Sequence, residues 1–142
     1  MYQLGQRVLR SGSRGAFLIH TLVSRGDIRR FKKCKFQAAL VRIETLSDVE
    51  PALNEVAACR KVLKSSHKHI AAWIINDVGG FTDCGESGAG RRLLSLLESR
   101  KDENTLIAVT RWYGGSHLGP SRFRAISSVA KELLSEQESL SS

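Results

Sequence analysis

The chain has no run of twenty apolar residues, so no stretch of it has the length and apolarity of a membrane-spanning helix. Its cysteines are few and scattered. Cys34, Cys59 and Cys84 are odd in number and form no C-x-x-C pair, which argues against a disulfide framework and makes reduced intracellular thiols the default. Aromatic residues make up only 6% of the chain. Acidic residues are missing altogether before Asp27: residues 1–36 hold nine of the 22 Lys and Arg but one of the 14 Asp and Glu, and the remaining residues balance. The formal charge of +8 therefore belongs to an arm, and any nucleic-acid affinity read from it is a property of that arm.

The 142 residues and 42% apolar content suit one compact domain. We divide the chain into a basic arm over 1–31, a domain over 32–138 and a tail over 139–142. The arm interleaves Arg7, Arg10 and Arg14 with apolar residues and serines, as a mitochondrial transit peptide does. The plainer expectation is a solvated terminus packed on nothing. Its segment "AFLIHTLV" is apolar enough for a first strand leading into the body.

In the body, "CKFQAALVRI" alternates as a strand with one face well buried. "LSDVEPALNEVAACRKVLK" reads as one amphipathic helix. Ser47 and Glu50 form its capping box, and Val49, Leu53, Val56 and Leu63 form its apolar stripe. "HIAAWIIN" is a second strand, "DVGG" a turn and "FTDC" a returning strand. "RRLLSLLES" is a helix, "NTLIAVT" a buried strand, and "SRFRAISSVAKELLSEQ" a final helix with Phe123, Ile126, Ala130, Leu133 and Leu134 on one face. The order β-α-β-β-α-β-α predicts an α+β fold, a two-layer α/β sandwich. If the strands before "DCGESGAG" and "RWYGGSHLGPSRF" run parallel, these two Gly-rich loops share one edge of the sheet. The first brings Asp83 and Glu86; the second brings Arg111 and Arg122 and no acid.

Several chemistries are weighed at these loops. "GESGAGRR" has the spacing of a phosphate loop but lacks its Lys-[Ser/Thr], and Glu86 would repel phosphate. Cys84 with His67 or His69 would make a nucleophile–base pair, yet no spacing brings them together, and a strand-ending cysteine is commonly a small packed residue. Asp83 and Glu86 suit acid–base work, against the plainer reading that Glu86 caps the next helix or pairs with Arg111. "HKH" offers two imidazoles for a metal and lacks clear further ligands. No catalytic residue, metal or cofactor is therefore assigned. Trp112 and Tyr113 point opposite ways at a strand end, so one ring is expected inside and the other exposed. An exposed ring rimmed by arginine has the composition of a protein-interface hot spot. The same pair suits base stacking.

"KCKFQAAL", "DCGESGAGRRLLSLLE" and "VTRWYGGSHLGPSRFRAI" together resemble the IMPACT family from about Lys33 to Leu134. The two Gly-rich loops are expected to be the contact surface, and the positions shared with the family are Asp83, Gly85, Glu86, Ala89 and Gly90 in the first. In the second they are Arg111, Trp112, Tyr113, Gly114 and Gly115, then Leu118, Gly119, Arg122 and Phe123. The Asp-Cys-Gly-Glu variant and the compact layout look most like a fungal branch. The resemblance implies the fold of a small-subunit ribosomal protein and of one domain of elongation factor G. It implies a non-enzymatic, cytoplasmic regulator of translation in the amino-acid starvation response. Its protein partner would be the ribosome-associated activator of the starvation kinase, or actin. The alternatives are an RNA- or ribosome-binding domain and a hydrolase using Asp83, Glu86, Arg111 and Cys84. Regulatory members carry an extra amino-terminal domain for which residues 1–31 are too short, and Cys84 stands where many members have a second acid.

Overall fold

The computed structural model describes residues 22–115 and 117–141. Six strands build one sheet: β1 Val23–Arg25, β2 Arg29–Phe31, β3 Cys34–Arg42, β4 His67–Ile75, β5 Val78–Thr82 and β6 Thr105–Trp112. The order across the sheet is β1-β3-β6-β4-β5, with β2 also paired to β3, and every pairing is antiparallel. Among the described residues four α-helices follow in chain order: α1 Val49–Val56, α2 Arg60–Leu63, α3 Ala89–Arg100 and α4 Ser121–Ser141.

The β-branched and aliphatic run of β6 takes the centre of the sheet, where both faces are dry. On one face Phe36, Leu40, Ile70 and Ile107 pack under Leu93 and Leu97 of α3 and Ile126 and Leu133 of α4. On the other, Ala39, Val41, Ala71 and Leu106 lie under Val49, Ala52 and Val56 of α1. The α+β sandwich expected from the element order is present, with α1 adding a partial third layer. For that reason β3 is buried on two faces instead of one. A fully buried aliphatic side chain in such a core contributes about 1.5–3 kcal/mol.

Local differences from the sequence reading have identifiable causes. Residues 22–31, assigned to the arm, supply β1 and β2, which lie end to end along one edge of β3. Arg25 donates to the Val56 carbonyl at 3.0 Å, capping the end of α1. Arg29 pairs with Glu132 of α4, and this hydrogen bond holds the Glu132 carboxyl below its usual range. The transit-like segment lies in residues 1–21, outside the described residues.

The expected long helix is broken. The chain is extended at Cys59 (φ −72°, ψ 136°), and the break shifts the apolar phase by one residue, so Val62 is buried and Leu63 exposed. The carboxylate that ties down the helix start is Asp48, accepting from Glu44 N at 2.9 Å and Thr45 N at 3.1 Å, two residues before the predicted box closes at Glu50. The β4–β5 turn is Asn76–Asp77, both at positive φ, as a two-residue type I′ hairpin requires. Val78, Gly79 and Gly80, expected in the turn, belong to β5. The last helix continues to Ser141, through most of the predicted tail.

Candidate functional site

β5 and β6 both run antiparallel to the β4 strand between them, so they are parallel to each other and end at the same edge. The two Gly-rich loops therefore meet. Glu86, only 4% exposed, is the meeting point. Arg111 Nη1 donates to its Oε2, and Arg122 Nε donates to its Oε1 at 2.9 Å. Arg111 Nη2 also reaches Cys34 Sγ at 3.6 Å, and its guanidinium lies over the rings of Phe36 and Tyr113. Burial opposes the charge on Arg111. The hydrogen bonds to Cys34 and Glu86 outweigh it, and the net shift of its pKa is upward.

A break in the β4–β6 ladder brings in a further residue. The register shifts between His67 and Ile70, and Thr110 Oγ1 satisfies the Lys68 carbonyl at 2.6 Å. His67 turns toward the acidic loop: Nδ1 donates to the Cys84 carbonyl at 2.9 Å, and Nε2 stands 3.6 Å from Glu86 Oε2. His67 thus touches Cys84 through the backbone, and no thiol–imidazole bond accompanies it. Gly85, at φ 89°, passes directly beneath this ring, where a Cβ would come within 3.2 Å of Cε1.

Asp83 has a different task. Its carboxylate accepts from Gly88 N at 3.1 Å and Gly90 N at 2.8 Å, tying down the start of α3. The helix cap expected of Glu86 is made by Asp83, and Glu86 is the ion-pair partner. Asp83→Ala is expected to lower stability by about 0.5–2 kcal/mol, as loss of a capping carboxylate does. Urea denaturation followed by circular dichroism measures it.

The remaining motif residues divide between core and surface. Ala89, Gly90 and Leu118 are buried. The Phe123 ring carries the guanidinium groups of Arg92 and Arg122, 4.6 and 4.4 Å from its centroid. Gly115 and Gly119 are exposed at positive φ. Gly114 presses against the Lys33 backbone.

Trp112 is half-buried, outside both core clusters, and donates its indole N–H to the Lys61 carbonyl at 2.9 Å. Tyr113 is 47% exposed. These rings and Gly114 border a recess of about 460 Å³ walled by Lys33, Lys35, Lys61 and Lys64. The cations walling this recess are lysines; Arg111, expected at this rim, is 6% exposed, paired with Glu86 and set against the Tyr113 ring. Among the described residues no group of three or more His, Cys, Asp or Glu has the arrangement of a metal site. Sequence reading weighed His67 as a base or metal ligand but not as a neighbour of Glu86, and passed over Cys34 and the lysines as site residues. Strand register and the ladder break place them, and no sequence spacing signals either.

An antiparallel α+β domain with Glu86 locked between two Gly-rich loops defines the class. Residues 32–134 match the family model of the Impact N-terminal domain. The chain is 31% identical over 121 residues to the Protein IMPACT homolog of Caenorhabditis elegans, covering 80% of this chain and 47% of that protein. With the Schizosaccharomyces pombe homolog it shares 38% identity over 105 residues, 71% of this chain and 38% of the relative. A Saccharomyces cerevisiae IMPACT family member is 62% identical over 55 residues, 39% of this chain and 32% of that one. The chain belongs to the IMPACT family.

It spans less than half the length of these curated relatives. A crystal structure of a hypothetical protein has the same fold, with TM-score 0.71 and 23% identity over 79% of this chain and 56% of its own. The solved structure of the two-domain translational regulator Yih1 aligns with TM-score 0.53 and 28% identity, over 78% of this chain and 45% of that one.

Proposed function

We propose that this chain is a non-enzymatic protein-binding module of translational control, acting in the amino-acid starvation response through the Trp112–Tyr113 rim. Similarity to a translational regulator supports the process. The site supports binding over catalysis: the Glu86 carboxylate already accepts from two arginines. The carrying observation is the exposed Tyr113 beside Trp112 and four lysines, at the end of a strand anchored by a buried ion pair. An aromatic on a rigid support is how interface hot spots are built. The partners to test are the ribosome-associated activator of the starvation kinase and actin.

Lysines around paired aromatics also suit RNA on the ribosome, and that is the second reading. The test is capture from cell extract by the full chain and by Tyr113→Ala, with and without ribonuclease. The protein-binding reading expects the activator or actin to be retained after ribonuclease and reduced about tenfold or more by Tyr113→Ala. Capture abolished by ribonuclease supports the RNA reading. Capture unchanged by Tyr113→Ala rejects this rim as the working face.

A further inference from the structure

A larger recess, of about 820 Å³, lies between α3, α4 and the β2–β3 turn and shares no lining residue with the Trp112–Tyr113 recess. Its floor is apolar: Phe31, Leu96, Leu118 and Phe123. Its rim carries Lys32, Arg92, Arg124 and Lys131 and no acid. Among the described residues none of these four cations pairs with a carboxylate. Along α4 the lining residues Ser121, Arg124, Ser128 and Lys131 recur at three- and four-residue steps, one stripe of the helix that no element among the described residues covers.

We propose that this groove docks an acidic amphipathic helix of another protein, apolar anchors down and carboxylates against the rim. Two walls are helices, so an incoming helix packs its side-chain ridge between theirs. Charge selects among occupants. Residues 1–21 carry Arg7, Arg10 and Arg14 and no acid, the wrong sign for this chain to fill its own groove. A two-fold pairing of copies through the groove would set cationic rim on cationic rim. Nucleic acid has the right sign but lacks a stacking platform. Phe123 already carries two guanidinium groups, and Phe31 is engaged edge-to-face with Phe36 at 5.7 Å.

Lys32 supplies a clean variant. Its φ of 57° is a left-handed conformation that glycine adopts without strain, so Lys32→Gly removes a rim charge while relaxing the backbone. The experiment titrates the full isotopically labelled chain with a synthetic helix bearing leucines at i, i+3, i+4 and i+7 and glutamates elsewhere. Amide shifts are expected around Phe31, Leu96, Leu118 and Phe123. The double variant Arg124→Glu with Lys131→Glu should weaken binding about tenfold or more, and Lys32→Gly about two- to fivefold. Tyr113→Ala should leave it unchanged, which separates this site from the rim above. Urea midpoints report whether each variant folds, and Lys32→Gly decides the matter if the double variant does not. Four results would each overturn the proposal: equal binding of a peptide with scrambled periodicity, equal binding with lysines in place of the glutamates, a single-stranded RNA oligomer shifting the same amides, or a concentration-dependent dimer burying them.

Discussion

Arg111→Ala is expected to lower folding stability by about 3–5 kcal/mol, the range for breaking a buried ion pair from one side. Glu86 would stay buried, with only the partly exposed Arg122 and the His67 edge near its oxygens. Cys34 would lose the Arg111 donor, and the gap beside Phe36 would open the core. Arg111→Lys is not a rescue, because one ammonium cannot serve Glu86 and Cys34 in the fixed fork geometry of a guanidinium. Chemical denaturation measures the loss. Combining Arg111→Ala with Glu86→Gln tests its cause: if the stranded carboxylate is the main penalty, the double variant is more stable than Arg111→Ala alone. Equal or additive destabilisation would show that packing, and not charge, holds the loops together. Because Arg111 is internal, its removal also cannot separate partner binding from folding, and Tyr113 is the better probe of the rim.

Gly114→Ala is expected to reach the upper end of the overpacking range of about 1–3 kcal/mol, or to exceed it. A methyl at Gly114 would fall inside the Lys33 carbonyl, backbone against backbone, with no rotamer able to step aside. The first pairs of the β3–β6 ladder, Lys35 with Trp112 and Phe36 with Arg111, would have to part. Hydrogen exchange should show fast amides there and slow ones retained at Ala39 and Leu40. Gly115→Ala is the control. It has positive φ but nothing within 4 Å of the added methyl, so it should cost about 1–2 kcal/mol without loosening the strand. Equal exchange patterns in the two variants would remove steric closeness as the reason for glycine at position 114.

Strongly periodic elements could be read from sequence. The leucine run of α3, the β-branched run of β6 and the stripe of α4 announce themselves, because each buries one coherent face or is apolar throughout. The meeting of Glu86 with Arg111 was also legible, since strands that run parallel bring their following loops to one edge and these two loops carry opposite charge. What stayed hidden depended on contacts between distant segments. Nothing near Cys59 announces that the helix stops there and that Val62 replaces Leu63 in the core. The arm's charge concealed β1 and β2, short edge strands whose arginines cap α1 and pair with α4. His67 reads as a polar strand opener until the ladder break turns it toward Glu86. Arg111 was expected at the rim of the exposed ring or against Glu86, and it does both: its carboxylate partner holds it inside while its guanidinium lies against Tyr113.

The β2–β3 connection is only two residues long, between the paired Phe31 and Cys34, and each of its lysines belongs to a different recess. Neighbouring side chains on a tight bend thus border two separate hollows, and the carbonyl of the second abuts Gly114. Lengthening the bend by a single amino acid would displace the borders of both hollows together. The two faces of this domain therefore take part of their outline from one tight bend, so its length is fixed by both hollows at once.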